Sequence, residues 1–230
     1  MILEDKVVVI TGASEGIGWA IAERLATEGA KLALIARSKE KLQAVAKMTG
    51  GEAFVCDIRE RSQVKRTVEA IIAKFGHVDV LINNAGIWQK KSQLDALPDD
   101  VVEDVIATNL TGTIYMTKFV LPHLKNRRAE TAIVQIVSKS GIVAQEGQSV
   151  YTATKHGVKG FTDVLRVDLQ ETNVRIGAIY QSGTDTRMFA KAGEHFPQDK
   201  LTEPGDLADA VAYMLTRPPK MWILELQVTY

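Results

Sequence analysis

Seven short runs of β-branched and aliphatic residues alternate with longer stretches of helical periodicity along this chain, and no other feature restricts its fold as much. The runs lie at 6–10, 31–36, 52–56, 78–82, 132–137, 174–180 and 222–228, and the helical stretches at 17–28, 39–47, 61–75, 99–125, 150–171 and 204–216. Most runs are apolar at nearly every position rather than at every second one. Strands of that kind are buried on both faces, as in a parallel sheet covered by helices. Alternation over 230 residues therefore predicts a doubly wound α/β fold: a mostly parallel seven-stranded sheet with helices on both faces. No linker, repeat or low-complexity tract interrupts it, so the expectation is a single domain over 1–230.

Composition narrows the function classes. Basic and acidic side chains number 28 each, a balance that gives no support to nucleic-acid or anionic-membrane binding. The single cysteine, Cys56, excludes an internal disulfide and suits a reducing compartment. His77, His123, His156 and His195 are scattered without metal-ligand spacing, so no metal site is expected. No apolar run approaches the ~18 residues of a membrane span. The opening MILEDK is charged and leads into a strand, so the expectation is a cytoplasmic protein without a signal peptide.

In a doubly wound sheet the ligand crevice lies at the carboxyl ends of the strands, so the chemistry is sought there. Strand one runs into Thr11-Gly12-Ala13-Ser14-Glu15-Gly16-Ile17-Gly18, which opens a helix. Glycines there permit a tight turn and close backbone approach, and the helix N-terminus attracts phosphate. In this position the turn is a dinucleotide fingerprint, which makes the predicted fold a Rossmann fold. Strand two ends at Arg37 with no acid at 36 or 37. Arginine there suits the 2′-phosphate of NADP, where an NAD site has an acid for the ribose hydroxyl; the alternative is a solvated arginine entering the next helix. Glu15 argues the other way, because a carboxylate in the glycine loop would repel that phosphate. NADP(H) is therefore preferred and NAD(H) possible. Strand three ends at Asp57, which has capping-box spacing with Glu60 and could also accept a hydrogen bond from an adenine amino group. Strand four ends in Asn83-Asn84-Ala85-Gly86, small enough at 85 and 86 for close packing by a cofactor. Strand five ends in Ser138-Lys139-Ser140-Gly141, where a hydroxyl either forms a turn or meets a substrate oxygen.

The helix after strand five carries Tyr151 and Lys155, an i, i+4 pair that shares one face. A phenol with pKa of about 10 is a poor acid–base at neutral pH. A neighbouring ammonium typically lowers it by roughly 1–3 units, which makes it a usable general acid–base beside a cofactor.

With these residues in place the chain resembles the short-chain dehydrogenase/reductase family across essentially its full length. The resemblance rests on Thr11-Gly12-x-x-x-Gly16-x-Gly18, Asp57, Asn83-Asn84-Ala85-Gly86, Asn109, Ser138 and Tyr151-x-x-x-Lys155, with Ser138 thirteen positions before Tyr151. It implies that Tyr151 exchanges a proton with a carbonyl or alcohol oxygen that Ser138 polarises. It further implies that Lys155 binds the nicotinamide ribose and lowers the tyrosine pKa, and that Asn109 anchors a water linking Lys155 to solvent. Gly12, Ser14, Gly16, Ile17, Gly18, Arg37, Asp57, Asn83, Ala85, Gly86, Lys155, Thr184 and Thr186 are the expected cofactor contacts. The substrate would be a small ketone, aldehyde or alcohol. The family's habits imply a homodimer or homotetramer through the helices near 99–125 and 150–171. NAD-linked oxidation and a non-catalytic nucleotide-binding module are the competing readings.

Three features depart from the family pattern. Gln181-Ser182 stands where Pro-Gly is common, in a loop expected to face the nicotinamide. Lys139 sits beside Ser138. The sequence reads MWILELQVTY at its last strand, without the Asp-Gly-Gly that often follows it. The substrate wall is expected from 87–93, 142–149 and 187–197, which contain Trp88, Gln145, Glu146, Met188, Phe189 and Phe196.

Overall fold

The structure, a computed structural model, describes residues 1–218 and 220–229. The strands are β1 (Val7–Thr11), β2 (Lys31–Ala36), β3 (Glu52–Val55), β4 (Val80–Asn83), β5 (Thr131–Ile136), β6 (Val174–Gln181) and β7 (Glu225–Val228). They form one sheet in the order β3-β2-β1-β4-β5-β6-β7, and every pairing is parallel. All residues of β1, β4 and β5 are buried, as their continuous apolar runs require. The edges differ: Glu52 and Val55 of β3 and Glu225 of β7 are exposed.

Eight α-helices accompany the described strands: α1 (Gly16–Ala26), α2 (Lys39–Thr49), α3 (Arg61–Phe75), α4 (Asp99–Ile106), α5 (Thr113–Lys125), α6 (Ser149–Asp168), α7 (Arg187–Lys191) and α8 (Pro204–Leu215). The alternation of strand side chains divides the core in two. Val8 and Ile10 of β1 pack with Ile21, Leu25 and Val211 from α1 and α8, while Val7 and Val9 pack with Val68, Ile71, Met116 and Leu165 from α3, α5 and α6. β1 and β4 are neighbours whose connections leave in opposite directions along the sheet. The crevice at their carboxyl ends is the topological switch point where ligands bind in such folds.

Besides α7, which lies where no helix is expected, two elements differ from the sequence reading. The helix expected over 99–125 is broken by a π-helical turn, Ala107–Gly112, between α4 and α5. That turn places Asn109 on the inner side, buried, and such turns recur at functional sites. The last strand is shorter than 222–228, because Trp222 turns inward and donates its indole N–H to the Ile176 carbonyl at 3.0 Å.

Candidate active site

The crevice begins at the β1–α1 turn. Gly12 has φ +69°, and a Cβ on it would lie 2.9 Å from the Ala85 Cα. Gly18 is tighter still, since a Cβ there would come within 2.3 Å of the Gly12 carbonyl oxygen. Thr11 Oγ1 accepts the backbone N–H groups of Asn84 and Ala85, both at 3.0 Å, and the Asn84 amide donates to the Thr11 carbonyl at 2.9 Å. The glycine turn and the Asn-Asn-Ala-Gly loop are thereby fixed to each other. Gly18 and Asn83 build this support rather than the crevice wall: Asn83 donates to Thr117 Oγ1 at 2.9 Å and ties β4 to α5. The first N–H groups of α1 have no partner within the helix, and its first turn contains no acid. Gly12, Ser14, Gly16 and Ile17 line the crevice beside Ala85 and Gly86.

At the ends of β2 and β3 most of the charges are paired. Arg37 is exposed on the crevice wall, and Lys41, four residues further on α2, joins it. Lys41 Nζ donates to Glu15 Oε2 at 3.0 Å, and Lys191 of α7 takes the other Glu15 oxygen. Glu15 thus faces two lysines, which offsets the repulsion expected of a lone carboxylate. Asp57 is not the cap that its spacing with Glu60 suggests. The N-cap of α3 is Glu60 itself, and Asp57 instead receives the backbone N–H of Arg59 at 3.0 Å and its guanidinium at 2.7–3.1 Å. Burial opposes the ionised form of Asp57, but Arg59, with Arg37 beyond it, outweighs burial and holds the carboxyl below its usual range.

The far end of the crevice is different in kind. Ser138 follows β5 with φ 135° and ψ 153°, a region that residues other than glycine rarely occupy and that clusters at active sites. Its Oγ accepts the Ser140 N–H at 3.1 Å and lies near enough to the Tyr151 hydroxyl to favour its ionised form. Tyr151 and Lys155 are both buried. Lys155 Nζ donates to the Ile136 carbonyl at 3.3 Å and lies 5.7 Å from the centre of the Tyr151 ring. The expected lowering of the tyrosine pKa by Lys155 is not what this geometry produces. Burial pushes the phenol up to about 12, with only the nearby Ser138 pulling it down. Burial likewise pulls the Lys155 ammonium down to about 8.

Asn109 supports the same group from behind. Its amide accepts the Ile87 N–H at 2.8 Å and donates to the Ile87 carbonyl at 2.9 Å, so it stands off the wall and clamps the loop after β4. A Cβ on Gly86 would meet Asn109 Oδ1 at 3.3 Å and Lys155 Nζ at 3.7 Å, which places both side chains against that glycine. Gln89 has no counterpart in the sequence reading. It is fully buried, accepts the Tyr151 backbone N–H at 2.9 Å and donates to the Gly147 carbonyl at 3.2 Å. The N-cap of α6, Gln148, makes no capping bond with its side chain, so Gln89 satisfies that helix terminus from a distant loop.

An aromatic wall closes this end. Trp88 meets Tyr151 with ring centres 4.7 Å apart and Phe189 at 5.0 Å, and Phe189 meets Phe196 at 4.7 Å. Glu194 fixes the wall by accepting the Trp88 indole N–H at 2.5 Å and the Lys91 backbone N–H at 3.1 Å. Met188 and Gln145 reach the crevice, and Gln145 donates to Ser140 Oγ at 3.3 Å. Glu146 is exposed and does not line it. Lys139 is exposed at the rim. Thr184 is buried and hydrogen-bonded to Thr202 at 3.1 Å, while Thr186 caps α7 by accepting the Met188 N–H at 3.3 Å. The crevice has a volume of about 850 Å³, enough for a dinucleotide and a small molecule together.

Comparison with known proteins agrees with this layout. Residues 6–196 match the short chain dehydrogenase family. The chain belongs to that family. An uncharacterized oxidoreductase of Staphylococcus epidermidis is 32% identical over 98% of this chain and 97% of its own. Among solved structures, a 3-ketoacyl-(acyl-carrier-protein) reductase from Brucella melitensis complexed with NADH superposes with a TM-score of 0.90 at 31% identity, covering 99% of this chain and 98% of that one. An alcohol dehydrogenase from Thermococcus sibiricus complexed with 5-hydroxy-NADP gives 0.87 at 28%, covering 98% and 97%. This short chain dehydrogenase is accordingly an oxidoreductase with a Rossmann-like all-parallel sheet. Among its described residues no group of three or more His, Cys, Asp and Glu side chains is placed to hold a metal, and no helix is long and apolar enough to cross a membrane.

Proposed function

We propose that this short chain dehydrogenase is an NADP(H)-dependent reductase of small ketones or aldehydes, working reversibly on the corresponding alcohols. The observation that carries this reading is the buried Ser138–Tyr151–Lys155 group, set at one end of a crevice whose other end is the glycine turn. The residues fit a dinucleotide: a side chain on Gly12 or Gly18 would collide with the backbone of Ala85 or of Gly12, and the helix terminus behind them favours phosphate. Arg37 and Lys41 stand where a 2′-phosphate would lie, and both relatives named above from solved structures were captured with nicotinamide dinucleotides.

When bound, the cofactor supplies the hydride. The chain supplies positioning and the proton. Ser138 and Tyr151 hold the carbonyl oxygen between their hydroxyls, which polarises it and orients the carbon. A phenol at about 12 stays protonated at neutral pH, so Tyr151 is set as the acid for reduction. Lys155 binds the ribose and favours the phenolate as the proton leaves. Asn109 keeps the loop around Gly86 in place so that Lys155 can do so. The unit that does this is one Rossmann-type domain over 1–230, in a cytoplasmic protein. Val164 and Val167 on α6 are 59% and 66% exposed, an apolar strip that suits association with a second copy as a homodimer or homotetramer.

Titration with NADPH and NADH, followed by cofactor consumption over a panel of ketones and aldehydes, tests the reading directly. Arg37→Asp should weaken NADPH binding about tenfold or more, since a charged hydrogen bond is lost, and leave NADH nearly unchanged. Equal loss for both cofactors would overturn the NADP assignment. Absence of consumption on every carbonyl, with NADPH bound, would overturn the reductase.

A further inference from the structure

Tyr151 is the third residue of α6, inside the turn whose backbone N–H groups have no acceptor within a helix. The first bond of α6 runs from the Thr152 N–H to the Gln148 carbonyl at 2.8 Å, so the Tyr151 N–H needs an acceptor from elsewhere. The side chain of the cap residue ordinarily supplies it. Here the Gln148 side chain is engaged with Ser140 and Gln145 instead. Gln89, 62 positions before Tyr151, takes its place and accepts that N–H at 2.9 Å. The bond is buried, so water is not a ready substitute for the glutamine.

The other end of the glutamine is anchored as well. Gln89 Nε2 donates to the Gly147 carbonyl at 3.2 Å, and the Ser92 N–H reaches the same oxygen at 3.0 Å. Gly147 has φ +70°, and a Cβ on it would come within 3.1 Å of the Lys91 Cβ, so the two loops meet without space between them. One residue before Gln89, Trp88 packs edge-on against the Tyr151 ring with centres 4.7 Å apart. Consecutive residues of the loop after β4 therefore hold the ring and the backbone of one tyrosine. Helix termini fray more easily than interiors, and Lys155 lies a turn further into α6. Loss of the Gln89 bond would thus move Tyr151 relative to Ser138 and Lys155 rather than shift the three together.

We infer that Gln89 is a positioning residue for proton transfer: by bridging the Tyr151 N–H to the Gly147 carbonyl, it holds the phenol at the reacting oxygen and ties it to the substrate wall at 142–149. The inference rests on the reading of Tyr151 as the proton donor. Gln89 does not line the crevice, so its contribution is to geometry and not to binding. Completing both bonds takes a side chain of this length with an acceptor and a donor at its tip.

Two variants test it, with NADPH and a ketone or aldehyde that the wild type turns over. Gln89→Leu removes both hydrogen bonds and keeps an apolar side chain in the space. Its kcat per bound NADPH should fall about 10- to 100-fold, the cost of a misplaced reacting group. Its NADPH affinity should stay within about twofold of wild type, as for a site remote from the cofactor. A kcat within about twofold of wild type overturns the inference, and so does a loss of NADPH affinity in step with kcat, which marks a general loosening of the fold. Gln89→Glu is the conservative rescue. While neutral, the introduced carboxyl accepts from Tyr151 and donates to Gly147 as the amide does; once ionised it has no donor and sets a charge against the Gly147 carbonyl. Burial raises such a carboxyl above its ordinary value of about 4.3. Taken relative to wild type at each pH, kcat should therefore stand within about threefold near pH ~5 and fall about tenfold or more by pH ~8. A ratio that is flat with pH overturns the inference, and decides the matter alone if the leucine variant does not fold. A Tyr151→Phe variant that keeps its kcat would instead overturn the proton-donor reading on which the inference stands.

Discussion

The two ends of the crevice solve binding in opposite ways. At the adenosine end, Arg37 and Lys41 are exposed, Glu15, Asp57 and Arg59 are partly buried, and salt bridges join Glu15 to Lys41 and Asp57 to Arg59. At the reactive end, Tyr151 and Lys155 are buried, and their neighbours are amides, hydroxyls and aromatic rings. The Glu15–Lys41 pair reaches solvent, where an ion pair is screened and worth about 0–1 kcal/mol, so this part of the adenosine end tolerates rearrangement and tunes selectivity. Burial is not screened, so the reactive end sets proton affinities by exclusion of water. One end is adjustable and the other is fixed.

The sharpest way to break that contrast is at the fixed end. Tyr151→Phe removes the proposed acid while keeping the ring that packs on Trp88, and turnover should fall by roughly 10²–10⁴ with NADPH affinity within about threefold of wild type. A variant retaining most of its kcat would show that proton transfer runs elsewhere. The pH profile comes next. Because burial holds Lys155 down to about 8, kcat/KM for reduction should be level below that point and fall about tenfold per pH unit above it. The sign for stability is the reverse. The cost of burying the ammonium is present in full below about 8 and disappears as pH rises toward the ordinary 10.5. Tyr151 acts the other way, with stability lost between its ordinary 10.0 and about 12. Denaturant titrations from neutral to alkaline pH distinguish the two windows.

Sequence and structure agree most where one physical pattern repeats. The seven strands and their parallel order follow from apolar runs too continuous for a one-sided sheet, and Tyr151 meets Ser138 because α6 begins a short loop after β5. What the sequence does not display is any property that needs two distant segments at once. Gln89 caps α6 from the loop after β4, and nothing local marks a glutamine for that. Lys41 carries a faint signal, one helical turn beyond Arg37, but its bond to Glu15 depends on where α1 and α2 meet. The tyrosine pKa departs from expectation for the same reason: i, i+4 spacing gives proximity, whereas depth of burial is a property of the whole domain. Ser138 is the clearest case, since its φ of 135° is invisible in a serine. Ser138→Gly and Ser138→Ala both delete the hydroxyl, but only glycine is at ease in that backbone. The glycine variant should therefore be the more stable by about 1–2 kcal/mol, read from chemical denaturation, and equal stabilities would mean that the strain is not held there.

The smallest expected effect probes the adjustable end. Glu15 joins Lys41 on α2 to Lys191 on α7, so it occupies two cations that a 2′-phosphate would otherwise attract. Glu15→Gln keeps a hydrogen-bonding side chain but removes the charge. Lys41 is then free for the phosphate, and the repulsion of the carboxylate is gone. NADPH should bind about twofold to fivefold more tightly at low ionic strength, within the range of one exposed ion pair, and NADH should be unaffected. The gain should vanish near 1 M salt, where the screening length is only about 3 Å. A gain that persists in salt would mean that Glu15 acts through the shape of the glycine turn, and the adenosine end would then be held by its backbone as firmly as the reactive end is held by burial.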